Sequence, residues 1–172
     1  WQDEGFVKQV LAVNLSARQF KDRDFMEKVV NITKETQINP KQLELEITES
    51  MALDDLEYAI KTLQKLKELG VSFALDDFGT GYSSLNYLKR LPVNQLKIDK
   101  SFMDKVLEDH SDQKIVETII ALAQALNLVV IAEGVESAEQ ADFLKSVSCD
   151  KAQGYLYSRP LKEADVRPFL QA

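Results

Sequence analysis

Several residue types that common functional sites require are scarce in this sequence. Cys149 is the only cysteine among 172 residues. A single cysteine excludes an internal disulfide and favours a reducing, cytoplasmic compartment, in which a small buried thiol is the usual interpretation. His110 is the only histidine, in an acidic stretch typical of a solvated loop or helix start. A zinc site rich in histidine or cysteine is therefore excluded, and a Ser-His-Asp or Cys-His hydrolase is disfavoured.

Long apolar runs and an excess of positive charge are absent as well. No run approaches the length of a membrane span, and the sequence has no signal-peptide pattern. The formal net charge of -7 opposes broad attraction to nucleic acid or to an anionic membrane. We therefore expect neither DNA nor a membrane surface as a partner of this segment, and an anionic ligand would need local cations.

The sequence does contain enough apolar residues for one core. Its 45% hydrophobic content over 172 residues predicts a single globular domain spanning residues 1–172. The chain starts at Trp1 and not at a methionine, so we expect other sequence to precede it in a parent protein.

A unit of apolar strand, polar tip and helix repeats along the chain. Apolar residues at helical spacing predict helices over residues 54–69 before Gly70, over residues 111–126 with Ser111 as N-cap, and from a capping box at Ser137 to about residue 146. The predicted strands cover residues 10–13, 43–47, 71–75, 95–98, 128–132 and 151–155.

Strands that alternate with helices predict an α/β fold with a parallel sheet, either a doubly wound open sheet or a (β/α)8 barrel. The glycines of residues 79–84 resemble a dinucleotide-binding loop only superficially, because the third glycine is missing and acidic residues precede them. Polar residues at the C-terminal ends of several strands are typical of a barrel. A complete barrel has eight strands and about 250 residues, so the six strands predict an incomplete TIM-like barrel.

The adjacent pair Asp76 and Asp77 ends the third predicted strand and is followed by Gly79 and Gly81. Two neighbouring carboxylates repel each other and lose hydration at such a place, unless a cation lies between them. The glycines allow a sharp turn and a close approach of backbone to a ligand. The pair therefore indicates a metal site, and the alternative is an Asp-rich turn that only ends a strand.

In a barrel the C-terminal ends of the strands meet on one face, so we expect the polar tips to meet there. Most of these tips supply oxygen atoms, which favours Mg²⁺ or Mn²⁺, with Ca²⁺ as a competitor. Two such ions bridged by a carboxylate can activate water and stabilise the leaving oxygen of a phosphodiester. Lys97 could position the water or neutralise developing charge, and Glu133 could accept a proton. The tips are Asn14, Glu46, Asp76, Asp77, Lys97, Asp99, Glu133 and Gln153.

Some of these residues also have a purely structural alternative. Lys97 could lie on the surface or pair with Asp99. Strand alternation could turn some of the charges of Glu44, Glu46 and Glu49 towards solvent. The remaining alternatives are turns, at Asn14 and at Gln153.

The polar tips lie in six segments, which follow one another along essentially the whole chain: VNLSARQF (13–20), EITES (46–50), LDDFGTGYSS (75–84), LKID (96–99), AEGVE (132–136) and QGYLYSRPL (153–161). Together they resemble the EAL-domain family of cyclic-di-GMP-specific phosphodiesterases, and the combination is specific. The resemblance implies a TIM-like barrel that hydrolyses cyclic-di-GMP to linear pGpG with Mg²⁺ or Mn²⁺, in bacterial signalling that regulates biofilm formation and motility.

The resemblance also implies a role for each matching residue. Lys97 would hold the attacking water, and Glu133 would be the general base. Glu49 would anchor the loop after Asp76 and Asp77, which links the metal site to the interface of an expected homodimer. The implied metal ligands are Asn14, Glu46, Asp76, Asp77 and Glu133, with Asp76 bridging two ions. The implied supporting or substrate-binding residues are Gln153, Asp99, Glu49 and Arg159.

One feature of the family is missing from the sequence. The Glu-Ala-Leu motif lies upstream of the Asn14 segment, and its glutamate would complete the ligands of the first ion. We therefore expect a competent parent protein with sensor or cyclase domains upstream, but weak or no activity for this chain alone. An incomplete barrel would also expose sheet edges and apolar core, which invites pairing with another copy.

Two other functions remain open at this point. The chain could be a non-catalytic module that binds cyclic-di-GMP or a protein partner, or a barrel with only a structural role. A degenerate module commonly loses its metal-binding carboxylates, whereas this sequence retains Glu46, Asp76, Asp77, Lys97 and Glu133.

Overall fold

The computed structural model of the chain describes residue 5, residues 9–80 and residues 85–171. Two parts of the sequence interpretation lie outside the described residues, namely Trp1 and residues 81–84 of the glycine-containing motif.

Within these described residues, six parallel strands form one sheet, in which each strand pairs with its neighbours in the chain. A doubly wound sheet reverses its strand order at a switch point, whereas a barrel keeps sequential order. The strands form a curled half-barrel with flanking helices, which confirms the predicted incomplete TIM-like barrel. The strands are β1 (Leu11–Asn14), β2 (Leu43–Thr48), β3 (Ser72–Phe78), β4 (Gln95–Ile98), β5 (Val129–Ala132) and β6 (Lys151–Ala152).

Helices and short turns connect successive strands, as parallel pairing requires. A 3-10 turn (Pro40–Gln42) precedes β2. The α-helices are α1 (Ala17–Phe20), α2 (Phe25–Thr36), α3 (Glu49–Asp54), α4 (Leu56–Glu68), α5 (Leu85–Leu88), α6 (Lys100–Met103), α7 (His110–Ala125), α8 (Ala138–Ser146) and α9 (Glu163–Gln171).

Capping side chains explain where the observed helices differ from the predicted ones. The helix predicted over residues 54–69 is confirmed as α4, which begins two residues later than predicted because the Asp55 carboxylate caps it by accepting a hydrogen bond from the Tyr58 N–H (3.1 Å). Asp109, and not Ser111, caps α7 by accepting from the Ser111 N–H (2.7 Å). The capping box at Ser137 is confirmed.

The core lies between the sheet and its covering helices. Phe73 and Leu75 of β3 are fully buried, as are Leu63 and Leu66 of α4. On α7 the apolar residue Ile115 is exposed. The buried residues of that helix are Val116, Ile119, Ile120 and Ala123.

The first strand is exposed along its length. Within the described residues, β1 pairs only with β2, and Leu11 and Val13 are exposed although they are apolar. An apolar groove of about 690 Å³ runs between this strand and α2, where Ile32 is also exposed. This groove lies away from the C-terminal ends of the central strands.

Gly154 lies where the chain leaves β6 and packs against the backbone of Val135. A Cβ atom at residue 154 would lie 2.1 Å from Val135 O and 2.3 Å from Val135 N. Since backbone atoms cannot move aside as a flexible side chain can, we expect Gly154→Ala to lower the free energy of unfolding by about 2 kcal/mol. Urea unfolding followed by circular dichroism measures this change. Lys162→Ala, at an exposed position eight residues on, should change it by less than about 0.5 kcal/mol, and equal effects of the two variants would contradict the prediction.

Candidate active site

The parallel register brings the polar tips of the first five strands together at one end of the sheet. Asn14, the last residue of β1, pairs with Glu46 of β2. Asp76 lies near the end of β3, and Lys97 lies on β4. Glu133 directly follows β5, where its backbone N–H donates to Ile98 O (3.1 Å) and so continues the ladder to β4. Five residues far apart in the sequence thus share one site.

Lys97 lies at the centre of this site. Its ammonium Nζ is 2.8 Å from Glu46 Oε2, 3.0 Å from Asp76 Oδ1 and 2.8 Å from Glu133 Oε1. The Lys97 side chain is only 5% exposed, so these three carboxylates replace its hydration. Of the structural alternatives for Lys97, neither the surface position nor a pair with Asp99 is observed in these contacts.

Asn14 completes this cluster from the edge strand. With its amide oriented to satisfy hydrogen bonding, Nδ2 donates to Glu46 Oε2 (3.0 Å) and to Asp76 Oδ2 (3.3 Å). Turning the amide by half a turn would instead direct the Asn14 carbonyl oxygen at the same place. Asn14 is therefore positioned to be either a donor to the carboxylates or a ligand beside them.

The close charges shift the pKa values of two of these groups. Burial alone would lower the pKa of Lys97, but the hydrogen bonds to Glu133 and Glu46 and the charges of Glu133 and Asp76 raise it above its ordinary value. Burial raises the pKa of Glu133, and the hydrogen bond from Lys97 only partly offsets that effect. Lys97 thus stays charged at neutral pH, and Glu133 is a stronger base than an ordinary glutamate.

Asp77 is turned out of the regular strand. It has φ +54°, and the pairing of β3 with β4 shifts between Leu75 and Phe78, with one extra residue on β3. This bulge breaks the alternation that would otherwise point Asp76 and Asp77 to opposite faces. Partial burial of the carboxyl, together with the charges of Asp76 and Asp99, raises the pKa of Asp77. Asp77 is therefore close enough to the cluster for the charge of Asp76 to raise its pKa.

The four residues predicted to support the site follow the C-terminal ends of β2, β4 and β6 in the chain. Asp99 caps α6, where its carboxylate accepts hydrogen bonds from the Ser101 N–H (3.0 Å) and hydroxyl. Glu49 is buried at the first position of α3. Gln153 follows β6, and its backbone carbonyl accepts from the Val135 N–H (3.0 Å). The loop predicted to be anchored by Glu49 includes residues outside the described part of the chain, so that role stays a prediction.

Arg159 is an exposed residue seven positions after the end of β6. Its guanidinium stacks on the Tyr155 ring, 4.6 Å from the ring centroid. Its charge helps to lower the pKa of Glu136, after the larger effect of the hydrogen bond from Lys100 to Glu136. Two cations, Lys100 and Arg159, therefore lie near Glu136, three residues after Glu133.

A second polar layer, which sequence reasoning missed, lies beneath the site. Glu44, 5% exposed, accepts hydrogen bonds from Gln95 Nε2 and from the Ser72 hydroxyl (3.3 Å). Gln95 Oε1 in turn accepts from Lys151 Nζ (2.7 Å). The sequence feature that could have predicted this layer is the two-residue spacing along each strand. This spacing puts Glu44 on the same face as Glu46, and Gln95 on the same face as Lys97. The proposed solvent-facing charges are not observed, because Glu44, Glu46 and Glu49 are all buried.

The chemistry of the donor set fits a hard divalent cation. Carboxylate and amide oxygens are the ligands that Mg²⁺ and Mn²⁺ prefer, and they converge from four strands. In the part of the chain that the structure describes, no three histidine, cysteine or acidic side chains are already arranged to hold a metal ion. The Lys97 ammonium lies where the carboxylates of Glu46, Asp76 and Glu133 meet. A cation would therefore share these carboxylates with Lys97.

No helix among the described residues combines the length and apolarity that crossing a lipid bilayer would require.

Curated relatives match nearly all of the chain. It is 44% identical over 170 residues to the signaling protein YkoW of Bacillus subtilis, covering 99% of the chain and 21% of that protein. It is 44% identical over 161 residues to the bifunctional diguanylate cyclase/cyclic di-GMP phosphodiesterase MucR of Pseudomonas aeruginosa, covering 94% of the chain and 24% of that protein. The chain thus spans about a fifth to a quarter of the length of these relatives.

Solved structures match the fold over nearly the whole chain. The PaMucR phosphodiesterase in its c-di-GMP complex has a TM-score of 0.93 at 43% identity, over 96% of this chain and 67% of that one. The EAL domain of Mycobacterium smegmatis DcpA has a TM-score of 0.93 at 41% identity, over 99% of this chain and 77% of that one. The family model described as EAL domain matches residues 1–160. The half-barrel with its converging acidic strand ends therefore belongs to the EAL domain family.

Proposed function

We propose that this chain contributes the catalytic centre of a cyclic-di-GMP phosphodiesterase, which hydrolyses the cyclic dinucleotide to linear pGpG with Mg²⁺ or Mn²⁺. The observation that carries the proposal is the contact of Lys97 Nζ with Glu46, Asp76 and Glu133, all within 3.0 Å, at the C-terminal ends of the strands. The matched MucR, which is named a cyclic di-GMP phosphodiesterase and has a solved c-di-GMP complex, supports the choice of substrate.

Each residue of the centre has a distinct proposed task. Asn14, Glu46, Asp76, Asp77 and Glu133 would hold the cations. When bound, such cations supply positive charge to the phosphodiester and lower the pKa of water.

Glu133 is the proposed general base. It accepts a proton from the water that attacks phosphorus, and its raised pKa suits that task. Lys97 stays charged, so it orients this water and stabilises the negative charge that develops on the phosphoryl oxygens. A P–O bond to one ribose breaks, the leaving ribose oxygen takes up a proton, and one water is added to give a linear dinucleotide.

The context of the centre is part of the same proposal. One relative is named the oxygen sensor protein DosP of Escherichia coli, and another is named a bifunctional cyclase and phosphodiesterase. These names support regulation of this centre by sensor or cyclase domains of one larger protein. The homodimer expected from the resemblance stays a prediction, as does a cytoplasmic location.

Cation removal tests the proposed function. We expect a parent protein that contains this chain to convert cyclic-di-GMP to pGpG when Mg²⁺ or Mn²⁺ is present, and to lose that activity in EDTA and regain it on adding the cation, because an all-oxygen centre depends on a hard cation. Ion-exchange chromatography of the nucleotides measures the product, and calorimetry measures nucleotide binding. Nucleotide binding without hydrolysis would favour a sensory module over an enzyme. The absence of both binding and hydrolysis would contradict the proposal.

A further inference from the structure

We propose that the Lys97 ammonium is a built-in counter-cation of the acidic centre, which holds the carboxylates together without metal and competes with a divalent cation for Glu46 and Asp76. This inference rests on the metal site of the proposed function, but it concerns cation binding and not hydrolysis.

Lys97 contacts three poorly hydrated carboxylates. Its ammonium donates to three carboxylates at once, at 2.8, 3.0 and 2.8 Å, and has three hydrogens to give. The exposed fractions of the partner side chains are 10% for Glu46, 13% for Asp76 and 21% for Glu133. Three carboxylates this poorly hydrated would repel one another strongly without a cation between them. Lys97 supplies that cation from within the chain.

The cluster remains negatively charged even with Lys97 in place. Three carboxylates and one ammonium leave a formal charge of about -2, which one divalent cation would neutralise. Lys97 therefore reduces the repulsion without removing the demand for a metal ion. A centre in which Lys97 had satisfied every charge would have no electrostatic reason to bind one.

The position of Asn14 shows which side of the cluster the cation would share. Asn14 contacts Glu46 Oε2 and Asp76 Oδ2, whereas Glu133 approaches Lys97 from the end of β5. A cation held by Asn14, Glu46 and Asp76 would take two of the three partners of Lys97 and leave Glu133. Cation binding would thus convert a lysine shared by three carboxylates into a Lys97–Glu133 pair.

Calorimetric titration of Mn²⁺ into Lys97→Met tests the proposal, because methionine keeps a similar length and removes the charge. We expect the variant to bind Mn²⁺ at least tenfold more tightly than the unchanged chain, since the competitor has gone. Without metal its thermal midpoint should fall, and saturating Mn²⁺ should raise that midpoint more than it does for the unchanged chain. Lys100→Met removes an exposed lysine that also pairs with a carboxylate, Glu136, and should leave Mn²⁺ affinity unchanged.

A second measurement uses the unchanged chain, in case Lys97→Met does not fold. In a chain labelled with ¹³Cε-lysine, the Lys97 signal, identified by its loss in Lys97→Arg, should move in proportion to bound Mg²⁺ while the Lys100 signal does not. A Lys97 signal that ignores Mg²⁺ binding, or a folded Lys97→Met with unchanged or weaker Mn²⁺ affinity, would overturn the proposal. Cation binding that shows these effects, together with no nucleotide hydrolysis by the parent protein, would support it while contradicting the proposed enzyme activity.

Discussion

Glu133→Gln, made in a parent protein that contains this chain, is expected to lower the rate of cyclic-di-GMP hydrolysis by about two to four orders of magnitude, the range in which loss of a general base falls. Glutamine keeps the shape of the side chain and can still accept a hydrogen bond from Lys97 through its amide oxygen, but it cannot take a proton from water. Lys97 retains Glu46 and Asp76 as charged partners at 2.8 and 3.0 Å, so the fold should be far less affected than turnover.

Steady-state kinetics of pGpG formation, with urea unfolding of the same sample, separates these two effects. A loss confined to kcat identifies a group that acts in the reaction step, whereas a rise in KM alone would identify a binding contact. Glu139→Gln is the matched control, since this glutamate lies on the exposed surface of α8, six residues further along. Turnover of Glu133→Gln close to that of the control would show that Glu133 is not the base.

The residues that make up the site could be predicted, because parallel strands bring their C-terminal ends together. Once six strands alternate with helices, their C-terminal ends must meet, and polar residues at those ends become neighbours whatever their separation in sequence. Asn14, Glu46, Asp76, Lys97 and Glu133 were found in this way, and the structure brings all of them together. This inference needs only strand position and direction.

The geometry within the site could not be predicted in the same way. The bulge that reorients Asp77 depends on how β3 pairs with β4, and a sequence pattern shows the alternation of one strand but not the register between two. Which carboxylates Lys97 contacts depends on the curvature of the sheet. For the same reason Glu44 was open to interpretation as a solvent-facing charge, although its spacing from Glu46 puts both on the barrel's inner face.

We expect the polar layer beneath the site to contribute strongly to stability, because the Glu44 carboxylate is buried and has few hydrogen-bond donors. Gln95→Leu removes the amide that donates to Glu44, while the Ser72 hydroxyl, at 3.3 Å, remains. Since Glu44 is 5% exposed and cannot recover water without opening the barrel, we expect the free energy of unfolding to fall by about 3 kcal/mol. Urea unfolding measures this, with Gln64→Leu on the exposed face of α4 as a control expected to change it by less than about 0.5 kcal/mol.

A double-mutant cycle shows whether the loss comes from the stranded carboxylate or from poor packing of leucine. In Glu44→Met combined with Gln95→Leu, neither partner is left unsatisfied, and Lys151, an exposed residue, can return its ammonium to water. Replacing both members of a buried polar pair by apolar groups of similar volume is often nearly neutral, so the double variant should recover most of the about 3 kcal/mol lost by Gln95→Leu alone. If the two changes were simply additive, the layer would be held by packing, and Glu44 would not depend on Gln95 for its burial.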